Sequence, residues 1–222
     1  MPPAKAENHG GRVTISALFF FQFIALAAQG RFLAIFFAEF GLTNEEIGLV
    51  LAAGTAVGMV SVSFWAGITD YFKAKRAVLL VTVASASVSV NLYLVPNVWP
   101  ALQAPGVMLI WMVSIRVVYS FFFTPVNAIL DALAVSSLAD PHDYGRCRLW
   151  GAVGWGLCNA LVIGPLLDRT GAWVMAPLFS LFSFILLVLV FVLVKPPQVD
   201  AQPPKVDAGK VDEGQLSVEK VG

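Results

Sequence analysis

The chain has 222 residues, of which 58% are hydrophobic and 13% are charged, and its formal net charge is zero. A soluble domain is about 45–50% apolar and about 25% charged, so this composition excludes a disordered regulator and a typical soluble enzyme. The balanced charge provides no basic surface of the kind that binds nucleic acid, so we expect no nucleic-acid partner.

Six long apolar blocks divide the chain. A bilayer core of about 30 Å needs about 20 residues of helix, and every block is long enough, the third and fifth being the shortest. Because lipid offers the backbone no hydrogen-bond partner, each block is predicted to be a helix. The blocks are Val13–Phe37, Ile47–Ile68, Ala77–Val95, Val107–Leu133, Leu149–Leu167 and Ala172–Val194. The prediction is an all-α, multi-pass transmembrane bundle embedded in the lipid bilayer.

Basic residues alternate between rich and poor connections, and this alternation predicts the orientation of the bundle. The stretch between the first two blocks holds Glu39, Glu45 and Glu46 without a basic residue, and 96–106 has no charge. With six spans, both termini are expected in the cytoplasm; the membrane itself is not specified. The rich connections hold Lys5, Arg12, Lys73, Lys75, Arg76, Arg146, Arg148, Lys195, Lys205, Lys210 and Lys220.

The two ends of the chain differ from the apolar middle. Residues 1–12 are predicted to be a cytoplasmic stub, and 13–194 the transmembrane domain. In the tail, 195–222, the sequence Pro-Pro-Gln-Val-Asp-Ala recurs as Pro-Pro-Lys-Val-Asp-Ala, which favours a disordered cytoplasmic segment. One alternative is a signal peptide cleaved at Ala25-Leu26-Ala27, although the apolar run continues past that point.

The six blocks form two similar triplets, over Val13–Val95 and Val107–Val194. Three spans are an odd number, so the second triplet must enter the membrane in the opposite orientation to the first. Two inverted three-helix repeats are typical of one half of a facilitator-type transporter.

The fourth block carries charged and polar side chains at a depth where they are costly. Arg116 lies near the bilayer centre, and a guanidinium there costs at least about 2.5–3.5 kcal/mol on insertion scales. Steps of three or four residues lead to further polar side chains within an arc of about 80°. This stripe faces either a water-filled cavity or partner helices. Its members are Arg116, Ser120, Thr124, Asn127 and Asp131.

The first block contributes Gln22 and Gln29, which are seven residues apart and share a helix face. We assign them, with the stripe, to a candidate substrate pathway. No carboxylate lies near the depth of Arg116, so a solute held by this residue is favoured by charge to be an anion.

The apolar blocks lack the residues that intramembrane chemistry requires. Both histidines, His9 and His142, lie outside the blocks, and no block contains lysine. No phosphate-binding loop is present, and no nucleophile–base–acid set occurs at a suggestive spacing. We therefore expect no enzyme activity, no catalytic residues, no metal site and no cofactor.

Small residues predict where helices approach each other closely. The fifth block has small residues at steps of four, and the second contains Gly54-Thr55-Ala56-Val57-Gly58. The lone amides Asn91 and Asn159 are each predicted to make a hydrogen bond between helices. The small residues of the fifth block are Ala152, Gly156, Ala160 and Gly164.

Two loop motifs resemble the major facilitator superfamily. Gly67-Ile68-Thr69-Asp70-Tyr71-Phe72-Lys73-Ala74-Lys75-Arg76 resembles its loop between helices two and three, although Tyr71 stands where Arg or Lys is usual. Asp143-Tyr144-Gly145-Arg146-Cys147-Arg148-Leu149-Trp150-Gly151 is similar to a signature of the branch of phenylpropionate-permease-like proteins, as is the stretch Pro125–Ala132. The resemblance covers about residues 13–194, which is one six-helix half of the family's usual twelve helices.

This resemblance implies a secondary transporter, or its N-terminal half, that moves a small organic solute by alternating access. It also implies a cytoplasmic gate, with Asp131 near the charges of the fourth loop. The missing half leaves a second six-helix unit, or a second copy, as an expected partner. The alternative is a membrane interaction or scaffold protein, derived from a transporter half, that no longer transports. The implied gate residues are Gly67, Asp70, Lys75, Arg76, Tyr144, Gly145, Arg146 and Arg148.

Overall fold

The computed structural model describes residues 9–138, Asp140 and residues 142–194, and across these residues it is helical without any strand. Six spans are long and apolar enough to cross a membrane, which confirms the predicted all-α bundle. Residues 1–8 and the predicted tail, 195–222, lie outside the described residues. The spans are Gly10–Glu39, Asn44–Phe72, Lys75–Asn97, Gly106–Ser137, His142–Thr170 and Ala172–Leu193.

The helices extend beyond the apolar blocks, because charged residues at one end of the bundle continue them. The fifth span, predicted to be among the shortest, has 29 residues and begins at His142. Residues 9–12, assigned to the N-terminal stub, form the start of α1. The α-helices are α1 His9–Gly30, α2 Leu33–Glu39, α3 Asn44–Phe72, α4 Lys75–Asn91, α5 Pro105–Ser137, α6 His142–Cys158, α7 Gly164–Thr170 and α8 Met175–Leu193; short 3₁₀ turns occupy Leu92–Asn97, Pro100–Gln103 and Ala172–Val174.

The fifth span contains one π-helical turn, Asn159–Ile163, between α6 and α7. The Gly164 N–H donates to the carbonyl of Asn159, five residues earlier. Pro165 follows directly, and since it has no N–H it cannot satisfy the carbonyl of Leu161 in the α-helical pattern. The wider turn absorbs this defect, as π-bulges do in other helices.

The spans pack in an arrangement that is unchanged when the two triplets are exchanged. The second span packs on the fourth, and the fifth packs on the first in the same way. The first also packs on the sixth, the fourth packs on the third, and the third and sixth pack on each other. Replacing spans one, two and three by four, five and six returns the same set of pairs. This is the pattern expected of two inverted repeats.

The glycines of the first–fifth contact are not the predicted ones. A Cβ atom on Gly151 would lie 2.7 Å from Phe23, and one on Gly154 would lie 2.9 Å from the backbone oxygen of Phe20. By contrast Ala152, Gly156 and Ala160 are exposed. The predicted small-residue face was therefore wrong as the site of packing within the bundle, because periodicity alone does not tell which of two small faces meets a neighbour.

The two predicted interhelical amides behave differently. The Asn91 side chain donates to Ser180 Oγ of the sixth span at 2.6 Å, which confirms that prediction. The Asn159 side chain instead donates to the carbonyl of Trp155 in its own helix at 2.9 Å, so that prediction was wrong.

Candidate functional site

Arg116 is the twelfth of the 33 residues of α5 and packs against the backbone of α3. A Cβ atom on Gly54 would lie 2.6 Å from Arg116 Nε, 2.7 Å from its Cγ and 2.8 Å from Ser120 Oγ. Only a glycine leaves room for the arginine stem at this contact. The glycine-containing face of the second block thus does what the sequence predicted, and it also fixes where the guanidinium lies.

Tyrosine rings surround the guanidinium. Arg116 Cζ lies 5.3 Å from the centroid of the Tyr119 ring, within the range of a cation–π contact. Tyr93, which is 1% exposed, is a close electrostatic neighbour of Arg116. Among the described residues, no hydrogen bond of standard geometry reaches Arg116 Nε or the Tyr93 hydroxyl, although the two side chains lie close enough to interact with each other. The site therefore has a cation and a hydroxyl with unused bonding capacity.

Sequence reasoning did not find Tyr93 and Tyr119 as site residues. Both occur in apolar blocks, where an aromatic ring reads as core. Tyr93 does pack as core, with ring centroids 5.6 Å from both Phe36 and Phe37. The available signal was chemical, since a tyrosine buried in a bilayer needs a partner for its hydroxyl.

The middle of the predicted stripe faces a helix. Ser120 is buried, and its carbonyl accepts a hydrogen bond from Ser61 Oγ at 3.5 Å. A Cβ atom on Gly58 would lie 2.9 Å from Thr124 Oγ1. Of the two surroundings left open by the sequence, Ser120 lies between helices, whereas Thr124 contacts the neighbouring helix on one side and is otherwise exposed.

Three amides of the predicted pathway have unsatisfied polar atoms. Gln22 is fully buried and neither of its amide atoms has a partner among the described residues. Gln29 is also buried, and its Oε1 is unpaired, as is Oδ1 of the half-buried Asn127. A buried amide without partners is costly. These groups lie on the first and fourth spans, the two spans that occupy equivalent places in the repeats.

Asp131 closes the stripe in a cluster with two residues of the fourth loop motif. Arg148 donates to both carboxylate oxygens of Asp131 at 2.8 Å, and Tyr144 Oη donates to Oδ1 at 2.9 Å. Arg148 also donates to the Tyr144 hydroxyl. The cluster joins the fourth span to the fifth. Asp131 therefore lies near the charges of the fourth loop, as the resemblance implied.

The other basic gate residues contact groups inside the same bundle. Lys75 donates to the Ala132 carbonyl at 3.0 Å and to Ser136 Oγ at 2.9 Å. Arg76 donates to the Phe191 carbonyl at 2.7 Å and lies over the ring of that residue. Each of these side chains therefore fastens the third span to a neighbour.

The remaining gate residues are exposed. Arg146 is only loosely paired with Asp143, at 3.8 Å. The Asp70 side chain has no hydrogen bond or ion pair with any other described residue. Gly67 and Gly145 are exposed and face open space. The predicted gate is thus split into residues engaged within the bundle and residues that face away from it.

Comparison with known proteins finds two transporters whose sequences are similar to this chain. The chain is 26% identical over 145 residues to the probable 3-phenylpropionic acid transporter of Escherichia coli (strain K12), covering 64% of this chain and 35% of that protein. It is 26% identical over 196 residues to the maltose permease of Geobacillus stearothermophilus, covering 87% of this chain and 46% of that protein. The chain thus spans less than half the length of either relative.

No solved structure significantly matches the chain. The MFS_1 like family matches it over residues 13–220, which is most of its length. This match agrees with the six spans, the exchange symmetry of their packing and the two loop motifs. The chain therefore belongs to the MFS_1-like family of the major facilitator superfamily.

Proposed function

We propose that the chain forms a six-helix unit of a secondary transporter that moves a small organic anion across a membrane by alternating access. The observation that carries this proposal is Arg116, a cation within the fourth span that has an aromatic surround and an Nε without a hydrogen-bond partner among the described residues. A guanidinium within the membrane is costly, and charged residues at such depths commonly mark the pathway of a substrate or an ion.

The charge around Arg116 supports an anion. Among the described residues, no Asp or Glu forms an ion pair with it. A carboxylate would supply the missing acceptor, and the Tyr93 hydroxyl could donate to the same group. The rings of Tyr93 and Tyr119, which are 1% and 4% exposed, would contact the body of an organic acid once the pathway opens.

The two relatives differ in the charge of the solute in their names. One is named for 3-phenylpropionic acid, which has a carboxyl group and a ring, and the other for maltose, which is an uncharged sugar. The surroundings of Arg116 fit an acid with a ring better than a polyhydroxylated sugar. Gln22, Gln29 and Asn127 then line the pathway and bind the solute or water as it moves.

The basic end of the bundle is proposed to be the cytoplasmic gate. The Asp131–Tyr144–Arg148 cluster holds the fourth and fifth spans together there, and its opening would let them separate. Asp70 is left exposed, so it is available to a second six-helix unit or a second copy of this chain. That partner would complete the pathway.

Uptake into proteoliposomes tests this proposal. The purified protein is reconstituted, and the entry of radiolabelled 3-phenylpropionate and of radiolabelled maltose is followed against protein-free liposomes. The proposal expects saturable entry of the acid and none of the sugar. Entry of maltose alone would contradict the anion while leaving a transporter. Entry of neither would contradict a pathway that a second copy of this chain completes.

A further inference from the structure

A second groove lies between the first and fifth spans, at the end of the bundle where α1 and α6 begin. It has a volume of about 480 Å³. It shares no residue with the pathway of Arg116, Gln22 and Gln29, and Arg146 is the residue that it has in common with the predicted gate. Its lining residues are Arg12, Val13, Ser16, Ala17, Phe20, Phe21, Arg146, Cys147 and Trp150.

The mouth of the groove has an excess of positive charge. Arg12 and Arg146 contact the same carboxylate oxygen of Asp143, at 2.9 Å and 3.8 Å. One carboxylate thus serves two guanidinium groups, which leaves a local charge of about +1. The Arg146 side chain is 77% exposed, so most of its donors are free to bind another anion.

The wall of the groove is apolar and exposed. Val13 is 70% exposed and Trp150 is 53% exposed, and Phe20 and Phe21 continue the surface towards the middle of the span. Tryptophan is enriched at the level of lipid headgroups, where its ring meets hydrocarbon and its N–H meets water. The groove is therefore cationic at its mouth and apolar along its length.

We propose that this groove binds an anionic phospholipid. The phosphodiester would lie between Arg12 and Arg146, and one acyl chain would run along Val13, Phe20 and Phe21. A headgroup with one net negative charge neutralises the excess at the mouth, whereas a zwitterionic headgroup does not. Basic pockets between transmembrane helices bind anionic headgroups in this manner.

Native mass spectrometry of the purified protein in mild detergent tests the proposal. The protein is titrated with phosphatidylglycerol and, separately, with phosphatidylcholine of the same acyl chains. We expect phosphatidylglycerol to be retained at least about tenfold more tightly, a difference of about 1.4 kcal/mol. Equal retention of both lipids, or retention of neither because protein covers the groove, would overturn the proposal.

Two variants locate the binding. Arg146→Gln should remove most of the preference for phosphatidylglycerol, whereas Arg169→Gln, which removes one exposed charge from α7 at the other end of the bundle, should leave it unchanged. Asp143→Asn removes the competing carboxylate and should strengthen binding. Equal losses in the two arginine variants would show that general surface charge, and not this groove, retains the lipid.

Discussion

Gly54 determines the position of the charge on which the proposed function depends. Arg116 could be found from the sequence, because a guanidinium far from both ends of an apolar block is conspicuous. The contacts that orient its side chain could not be predicted from the sequence, since they depend on which face of the second span meets the fourth. Tyr93 illustrates the same limit, because its residue type fits a core position as well as a binding position. Residue identity therefore predicted the cation and missed its surroundings.

Adding a methyl group at Gly54 should destabilise the protein. In Gly54→Ala the new Cβ would lie 2.7 Å from Arg116 Cγ and 2.8 Å from Ser120 Oγ, so both side chains must shift. Overpacking of this kind typically costs about 1–3 kcal/mol. The measurement is thermal unfolding of the purified protein in detergent.

Gly48→Ala is the matched control, because Gly48 is in the same helix and faces open space. Alanine has the higher helix propensity by about 1 kcal/mol, so this variant should be as stable as the wild type or more stable. If both variants have the same melting temperature, the close contact of Gly54 with Arg116 is absent.

At the scale of the element, the ends of the helices depend on polar clusters that hydropathy does not register. The apolar block of the fifth span begins at Leu149, but the helix begins at His142. Arg148 and Tyr144 are the reason, since both reach Asp131 from the added turns. The sequence predicted the grouping of these residues by resemblance, whereas their bonds follow from the packing of the fourth and fifth spans.

The Asp131–Arg148 pair should be energetically coupled, and the Asp143–Arg146 pair should not. A double-mutant cycle with Asp131→Asn and Arg148→Gln should give a coupling free energy of about 1 kcal/mol, at the upper end for partly exposed pairs. The same cycle with Asp143→Asn and Arg146→Gln should give less than about 0.5 kcal/mol, because Arg146 is mostly exposed. Denaturation in detergent provides both values, and a larger coupling for the second pair would contradict the geometry.

For the whole molecule, the number of membrane spans and their helical structure followed from the physics of the bilayer. Six blocks of sufficient length predicted six helical membrane spans, and the equal triplets indicated an inverted repeat. Which spans pack together did not follow, because all six are apolar on most sides. The symmetry between the two triplets limits which spans can pack together. The choice among the symmetric arrangements depends on contacts such as Gly54 with Arg116 and Gly154 with Phe20.

The orientation of the bundle in the membrane is a prediction that labelling can check. Lys73 and Asn97 lie in connections at opposite ends and both are exposed, whereas Cys147 and Cys158 are buried. With the basic end in the cytoplasm, a membrane-impermeant maleimide applied to intact cells should label Asn97→Cys and leave Lys73→Cys unlabelled until the cells are opened. The reverse labelling would contradict the predicted orientation.

The charge of Arg116 is the central claim, and initial uptake of 3-phenylpropionate into proteoliposomes tests it most directly. Arg116→Gln should reduce the rate at least about tenfold, since a hydrogen bond to a charged group is worth about 1.5–3 kcal/mol. Arg116→Lys, which keeps the charge, should retain part of the rate. Arg31→Gln, which removes an exposed charge from the turn after α1, should match the wild type. An Arg116→Gln protein that takes up the acid as fast as the Arg31→Gln protein would contradict the account.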